Sequence, residues 1–262
     1  MREPNFIPEN RRQVIAQRIA DGQAVLSGAL AHEFHVSDDA IRRDLRALAA
    51  EGKCERVYGG ALPISRAHTP VAQRNQQDLN RKVALCHAGA QHIKPGQTVF
   101  LDAGSTVAQI TPFLPQDAGL IVVTNAVAVA AAVAHRTDIT LHLIGGKVSP
   151  HVGGSVDGLA QASLTHFHFD LCFLGTCALH PDVGFAAFDP DDAAFKRQLL
   201  ERSRATILMV TTEKIGTTAP YVIGAMSRAD YLLVEYDVAP KDLAALQTRI
   251  ATTQCSAPAR KI

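Results

Sequence analysis

Three arginines fall within five residues of the stretch VSDDAIRRDLRAL, Val36 to Leu48. Arginine carries a planar fork of donors that fits phosphate oxygens and the guanine edge, so such a cluster suits nucleic acid as well as plain solvated charge. A helix turning about 100° per residue puts Leu45 about 40° and Leu48 about −20° from Ile41, with Arg42, Arg46 and Arg43 at about 100°, 140° and 200°. The apolar three define a buried stripe and the arginines point away from it together. Ser37 suits the N-cap, and Asp38 and Asp39 suit the positive end of the helix dipole. On its own this face also fits a solvated surface, partly neutralised by Asp39 one turn before Arg42 and Arg43.

A second chemistry lies in VFLDAGSTVAQI, where a strand-like run meets Asp102, Gly104, Ser105 and Thr106 before a helical pattern. Glycine admits close backbone approach, a helix start offers free N–H groups, and two hydroxyls can donate to phosphate oxygens. A plain tight turn explains the same residues equally well. The stretch matches neither G-x-x-x-x-G-K-[ST] nor G-x-G-x-x-G. Two more polar turns follow strand-like runs, at Thr124 and Asn125 and at Gly145, Gly146 and Lys147, and Lys214 ends a third such run. In a parallel sheet these all sit at the carboxyl ends of strands, where ligands bind, so together they could surround a small anion. His166 and His168 alternate as on a strand, but no third ligand stands at metal-binding spacing, so no metal and no cofactor is expected.

The elements that must hold these residues come in two styles. Val14, Ile15 and Ile19 recur at helical spacing up to Asp21 and Gly22, a second helix is expected from a cap at Ser27 with Leu30 and Phe34 on one side, and the arginine helix is the third. GKCERVYGGALP then reads as a hairpin broken at Gly59 and Gly60. A helix, a short turn, a helix and a hairpin make the layout of a winged helix-turn-helix, whose second motif helix enters the major groove. Arg56 and Tyr58 would lie on the wing. A polar, Gln- and Arg-rich stretch follows as a connector.

Beyond it, TVFLDAG, LIVVTN, ITLHLIGG, FDLCFLGT, ATILMVTT and YLLVEYD read as strands buried on both faces. Helical stretches alternate with them at 83–93, 106–114, 126–135, 157–165 and 191–204. Such alternation means βαβ units and a mostly parallel sheet. The expected division is a helix-turn-helix domain over 8–63, a connector over 64–81 and an α/β domain over 82–253.

Composition narrows the classes. Hydrophobic residues make up 47 % and charged residues 19 % of 262, enough for a buried core. Basic residues number 26 against 25 acidic, so any contact with DNA must come from a local patch. The longest apolar run, near 125–135, falls well short of the roughly 20 residues that span a bilayer, and the polar start MREPNFIPENRRQ lacks an apolar signal core. Five scattered cysteines without a C-x-x-C pair read as reduced thiols. A cytoplasmic protein without a membrane segment is expected.

The string VSxxxIRRDLRxLxxEGxxxRVYGGA, Val36 to Ala61, resembles the N-terminal DNA-binding domain of DeoR-type bacterial transcriptional regulators. The second half resembles their effector domain, which is similar in fold to ribose-5-phosphate isomerase and senses a phosphorylated sugar or related metabolite. The resemblance, spanning about 10–253, implies an α/β protein that binds operator DNA as a dimer or tetramer, represses, and is not an enzyme. It implies DNA contacts from Ser37, Asp39, Arg42, Arg43, Arg46, Arg56 and Tyr58. It also implies effector contacts from Asp102, Gly104, Ser105, Thr106, Thr124, Asn125, Gly146, Lys147 and Lys214. Ala40 stands where the family usually has threonine, Asp192 where it has glutamate, and Thr211 where it often has aspartate. An isomerase-like enzyme with an appended DNA-binding domain is the alternative, with Asp102 or Asp192 as the base.

Overall fold

The computed structural model describes residues 8–20, 25–57, 59–63, 70–255 and 257. The chain separates into an N-terminal unit up to residue 68 and a C-terminal unit from residue 69.

In the N-terminal unit, helix α1 (Pro8–Ala20) is followed by the short strand β1 (Val25–Leu26), helices α2 (Ser27–Glu33) and α3 (Asp38–Ala50), and strands β2 (Cys54–Val57) and β3 (Gly60–Pro63). Ile15, Ile19, Leu30, Phe34, Ile41, Leu45 and Leu48 form one core with Cys54 and Ala61. The hairpin β2–β3 gains a third strand because β1 pairs with β3, Val25 opposite Ala61. Gly60 permits this: a Cβ there would lie 2.0 Å from the Val25 carbonyl oxygen. This strand corrects the expected cap of α2. Ser27 is the first helical residue, the N-cap is Leu26, and the Ser27 N–H donates to Gly59 O at 2.8 Å. The hairpin carbonyl thereby satisfies one of the four N–H groups of the first turn that have no partner within the helix.

The C-terminal unit is built on seven parallel strands: β4 (Thr98–Leu101), β5 (Ile121–Thr124), β6 (Thr140–Leu143), β9 (Leu171–Leu174), β12 (Thr206–Val210), β14 (Tyr231–Val234) and β15 (Ala251–Gln254). Their order is β15-β14-β12-β9-β4-β5-β6. The chain therefore runs outward from β4 to β6, then crosses to β9 and runs outward the other way. The turning point is the crevice between the carboxyl ends of β4 and β9, where doubly wound sheets bind ligands. Helices α4 (Val71–Arg74), α5 (Leu79–Ala90), α6 (Val127–Val133), α7 (Gly158–Leu164), α8 (Pro190–Arg202) and α9 (Pro240–Gln247) complete the unit. It also holds a small hairpin, β7 (Val148–Ser149) with β8 (Gly154–Ser155), and an antiparallel sheet of β10 (Ala178–His180), β11 (Gly184–Ala187) and β13 (Tyr221–Gly224).

Several expectations are corrected here. β6 is an edge strand with Thr140, His142 and Leu143 exposed, so it is not buried on both faces. The helix expected over 106–114 is a 3-10 helix, Val107–Phe113, with Pro112 inside it, and proline removes a helical donor. His166 and His168 stand exposed in a turn and the segment after it, not on a strand. Residues 70–81, expected as connector, form α4 and the start of α5.

Candidate functional site

On α3 the Ser37 hydroxyl accepts the Ala40 N–H at 3.3 Å, closing the N-cap. Ile41, Leu45 and Leu48 are buried, while Arg42, Arg43 and Arg46 are exposed. The three side chains turn back towards the preceding turn of the helix. Arg42 lies 3.8 Å from Asp38 and 3.6 Å from Asp39, Arg43 Nε donates to Asp39 O at 3.3 Å, and Arg46 Nε donates to Arg42 O at 3.2 Å. Exposed ion pairs of this length are weak and open readily to a stronger anion. Arg56 is exposed on β2, and Tyr58 lies outside the described residues. Asp44, within the same IRRD run, is buried and pairs with Arg11 of α1 at 2.6 Å. That anchor escaped the sequence reading because its partner lies 33 positions away.

In the C-terminal unit the turn after β4 meets the turn after β9. The wholly buried Asp102 carboxylate accepts the Ala103 N–H at 2.8 Å through one oxygen and the Gly175 N–H at 2.9 Å through the other. Gly175 is closely packed, since a Cβ there would lie 3.0 Å from Ala103 O and 3.2 Å from Asp102 Oδ2. Lys196 on α8 lies 3.3 Å from Asp102 and pairs with Asp192 one turn earlier. Burial raises Asp102 to about 6 against the pull of Lys196. Burial also works against the Lys196 charge, but Asp102 and Asp192 outweigh it and hold its proton more tightly than in free lysine.

Asn125 continues the chain of contacts. Its Oδ1 accepts the Ala103 N–H at 3.0 Å and its Nδ2 donates to Ser155 O at 3.1 Å, tying β8 over the crevice. The Thr124 hydroxyl donates to Leu101 O at 2.6 Å and accepts the Ala126 N–H, so it serves the turn itself. Gly104 leaves open space where a Cβ would stand. Ser105 and Thr106 are buried, and Thr106 Oγ1 has no hydrogen-bond partner among the described residues. The Thr106 carbonyl accepts from Cys86 of α5, which places this loop against α5.

Lys214 is half-buried and donates to Thr176 O at 2.8 Å, next to Gly175, so it joins the group around Asp102. Lys147 does not. It is exposed, its N–H donates to Asp157 Oδ2 at 3.0 Å, and a Cβ on Gly146 would lie 2.3 Å from Asp157 Oδ1. That turn is shaped by the cap of α7. Two cations absent from the sequence reading take part instead. Lys82 of α5 is buried, and burial and then Lys214 pull it down to about 8. Arg74 closes α4 and is lowered mainly by burial. Lys82 Nζ donates to Arg74 O and the Arg74 guanidinium donates to His151 O, both at 2.5 Å. Lys82 lies one turn before Cys86, which holds the Thr106 carbonyl, and Lys214 and Arg74 act on Lys82 together with the carboxylates of Asp78 and Glu213. Among the described residues no group of three or more His, Cys, Asp or Glu could hold a metal ion, and no helix is long and apolar enough to cross a membrane.

Comparison with known proteins finds two family models that match the chain. Residues 11–67 match the DeoR-like helix-turn-helix domain and residues 77–236 match the DeoR C terminal sensor domain. The chain is 29 % identical over 238 residues to the glycerol-3-phosphate regulon repressor of Escherichia coli (strain K12), covering 90 % of this chain and 93 % of that one. It is 29 % identical over 213 residues to the uncharacterized HTH-type transcriptional regulator FruR of Bacillus subtilis (strain 168), covering 80 % and 84 %. Ribose 5-phosphate isomerase A from Methanocaldococcus jannaschii aligns over 53 % of this chain and 55 % of its own, with a TM-score of 0.38 and 11 % identity.

Proposed function

The chain belongs to the DeoR family of transcriptional regulators and is a DNA-binding regulator, and we propose that it represses a carbohydrate-metabolism operon under the control of a phosphorylated sugar or related metabolite. In this proposal it acts in the cytoplasm as a homodimer or homotetramer, because helix-turn-helix proteins read paired half-sites. Arg42, Arg43 and Arg46 meet the major groove, Ser37 and Asp39 contact DNA from the start of the reading helix, and Arg56 and Tyr58 meet the backbone or the minor groove.

The observation that supports the effector half is the buried Thr106 hydroxyl, unpartnered among the described residues, on a loop held against α5, the helix that carries Lys82, which is bonded to the Arg74 carbonyl and lowered in part by Lys214. Asp102 and Asn125 shape that loop, while Gly146 and Lys147 have the weakest claim to ligand contact. The isomerase alternative has less support: Asp102 and Asp192 are both engaged by Lys196, and a base needs a carboxylate free to take a proton.

Two measurements test the proposal. Fluorescence anisotropy should show binding to the DNA upstream of the chain's own gene, and a thermal-shift panel of phosphorylated sugars, glycerol 3-phosphate included, should give a ligand that releases it. A ligand at 100 times its dissociation constant stabilises by about 2.7 kcal/mol. Turnover of ribose 5-phosphate, abolished by Asp102→Asn, would overturn it.

A further inference from the structure

The side chains that crowd the anion site are spent on one short element. Lys82 Nζ donates to the carbonyl of Arg74, the last residue of α4, and the Arg74 guanidinium donates to His151 O in the loop between β7 and β8. The same loop takes the Val71 N–H on Pro150 O at 3.2 Å, and a Cβ on Gly153 would lie 2.4 Å from Val71 Cγ1. Its hairpin is fixed in turn to Asn125, through Asn125 Nδ2 to Ser155 O and Ser155 N to Asn125 O. From the N-terminal end of α4 the chain leads back towards the DNA-binding unit.

An effector changes DNA affinity only if it makes different contacts in two states of the protein. An anion among Lys82, Lys214 and Arg74 competes for donors of which each side chain gives at least one to a backbone carbonyl. The bonds from the ammonium and the guanidinium to carbonyls are charged on the donor side alone, whereas a phosphate oxygen adds charge on the acceptor side as well. An anion that draws the Lys82 ammonium and the Arg74 guanidinium towards itself weakens the Lys82 tie on the Arg74 carbonyl and the Arg74 tie on His151 O.

We propose that α4 is the transducing element of this regulator: the effector's phosphate takes over the side chains that anchor Val71–Arg74 and thereby loosens the segment that leads to the DNA-binding unit. This rests on the effector reading above, with Arg74 and Lys82 added as the residues that touch both the ligand and the transducer.

The test is hydrogen exchange on the full chain with and without inorganic phosphate, against sodium chloride of equal ionic strength, alongside thermal melting. Phosphate should raise the melting temperature and speed exchange at the amides of residues 73–77 by about twofold to tenfold, the range that one hydrogen bond commands. Exchange in β4 should not speed up. Lys82→Met should abolish the change at residues 73–77, and Arg74→Gln should reduce it while keeping most of the rise in melting temperature through Lys214. Phosphate stabilisation with no faster exchange at residues 73–77 would overturn the role of α4 and leave the anion site standing. Absence of phosphate stabilisation, or stabilisation indifferent to both Lys82→Met and Lys214→Met, would remove the anion site and this inference with it. All three variants are checked for a wild-type circular dichroism spectrum; if Lys82→Met does not fold, Arg74→Gln decides.

Discussion

Arg11 of α1 reaches Asp44 of α3 at 2.6 Å, and both side chains are buried. In the run IRRDL the arginines stand outside and the aspartate inside, so one acidic residue fixes how α3 is presented while its neighbours remain available. The second arginine of α1, Arg12, adds a longer contact to Asp44 at 3.8 Å.

Breaking this pair from one side should be costly. Asp44→Asn leaves a buried guanidinium without its counter-ion and should destabilise the N-terminal unit by about 3–5 kcal/mol, whereas Arg11→Met with Asp44→Leu should come close to neutral. Urea unfolding of the full chain reads both. Equal losses in the single and double variants would mean that the pair does not act as a unit.

The exposed face of α3 should behave differently. Arg42→Ala and Arg46→Ala should leave the unfolding midpoint unchanged within about 0.5 kcal/mol, as surface replacements do. Each should weaken binding to the upstream DNA, by about 1–3 kcal/mol where the arginine meets a base, or with a fall of about 1 in the salt slope where it meets a phosphate. Unchanged affinity and slope in the double variant would show that another surface reads the DNA.

The split between these residues explains what could be seen in the sequence. Ile41, Leu45 and Leu48 announce α3 because their spacing is local, and β4, β9 and β12 announce themselves because strands buried on both faces are continuous apolar runs. β6 carries the same apolar letters but lies at the sheet edge, and only the strand order tells that. β10, β11 and β13 are three or four residues each and pair across long separations, so they leave no periodic trace. Lys82 and Arg74 look like ordinary charges in a polar stretch. Their significance comes from Lys214, which only folding brings near.

Lys196 should be a linchpin of the C-terminal unit, since it stands between the buried carboxylates of Asp102 and Asp192. Lys196→Met leaves two uncompensated acids and should cost about 3–5 kcal/mol, and adding Asp102→Asn should recover part of that loss. Calorimetry on the full chain reads the effect as a lowered transition for the larger unit. A wild-type transition in the single variant would show that water or neighbouring donors already neutralise the pair.

Effector affinity should fall at alkaline pH because of Lys82. Burial and Lys214 depress its folded value to about 8, below the ordinary lysine value of about 10.4. A base depressed in this way destabilises the fold while it is charged, and that penalty is relieved as pH rises through the window between those values. Ligand binding carries the opposite sign, because an anion binds the protonated amine and raises its pKa. Affinity for a phosphate monoester, whose second ionisation lies at about 6, should therefore peak between about pH 6 and 8 and decline above that. One proton is involved, so the decline should approach about tenfold per pH unit. Isothermal titration calorimetry across this range, with the effector found by thermal shift, reads it directly. Lys82→Arg keeps its charge throughout and should lose the alkaline decline, while Lys82→Met should bind weakly at every pH with no decline either. If the decline survives in both variants, the titrating amine is Lys214, and Lys82 has no electrostatic part in holding the ligand.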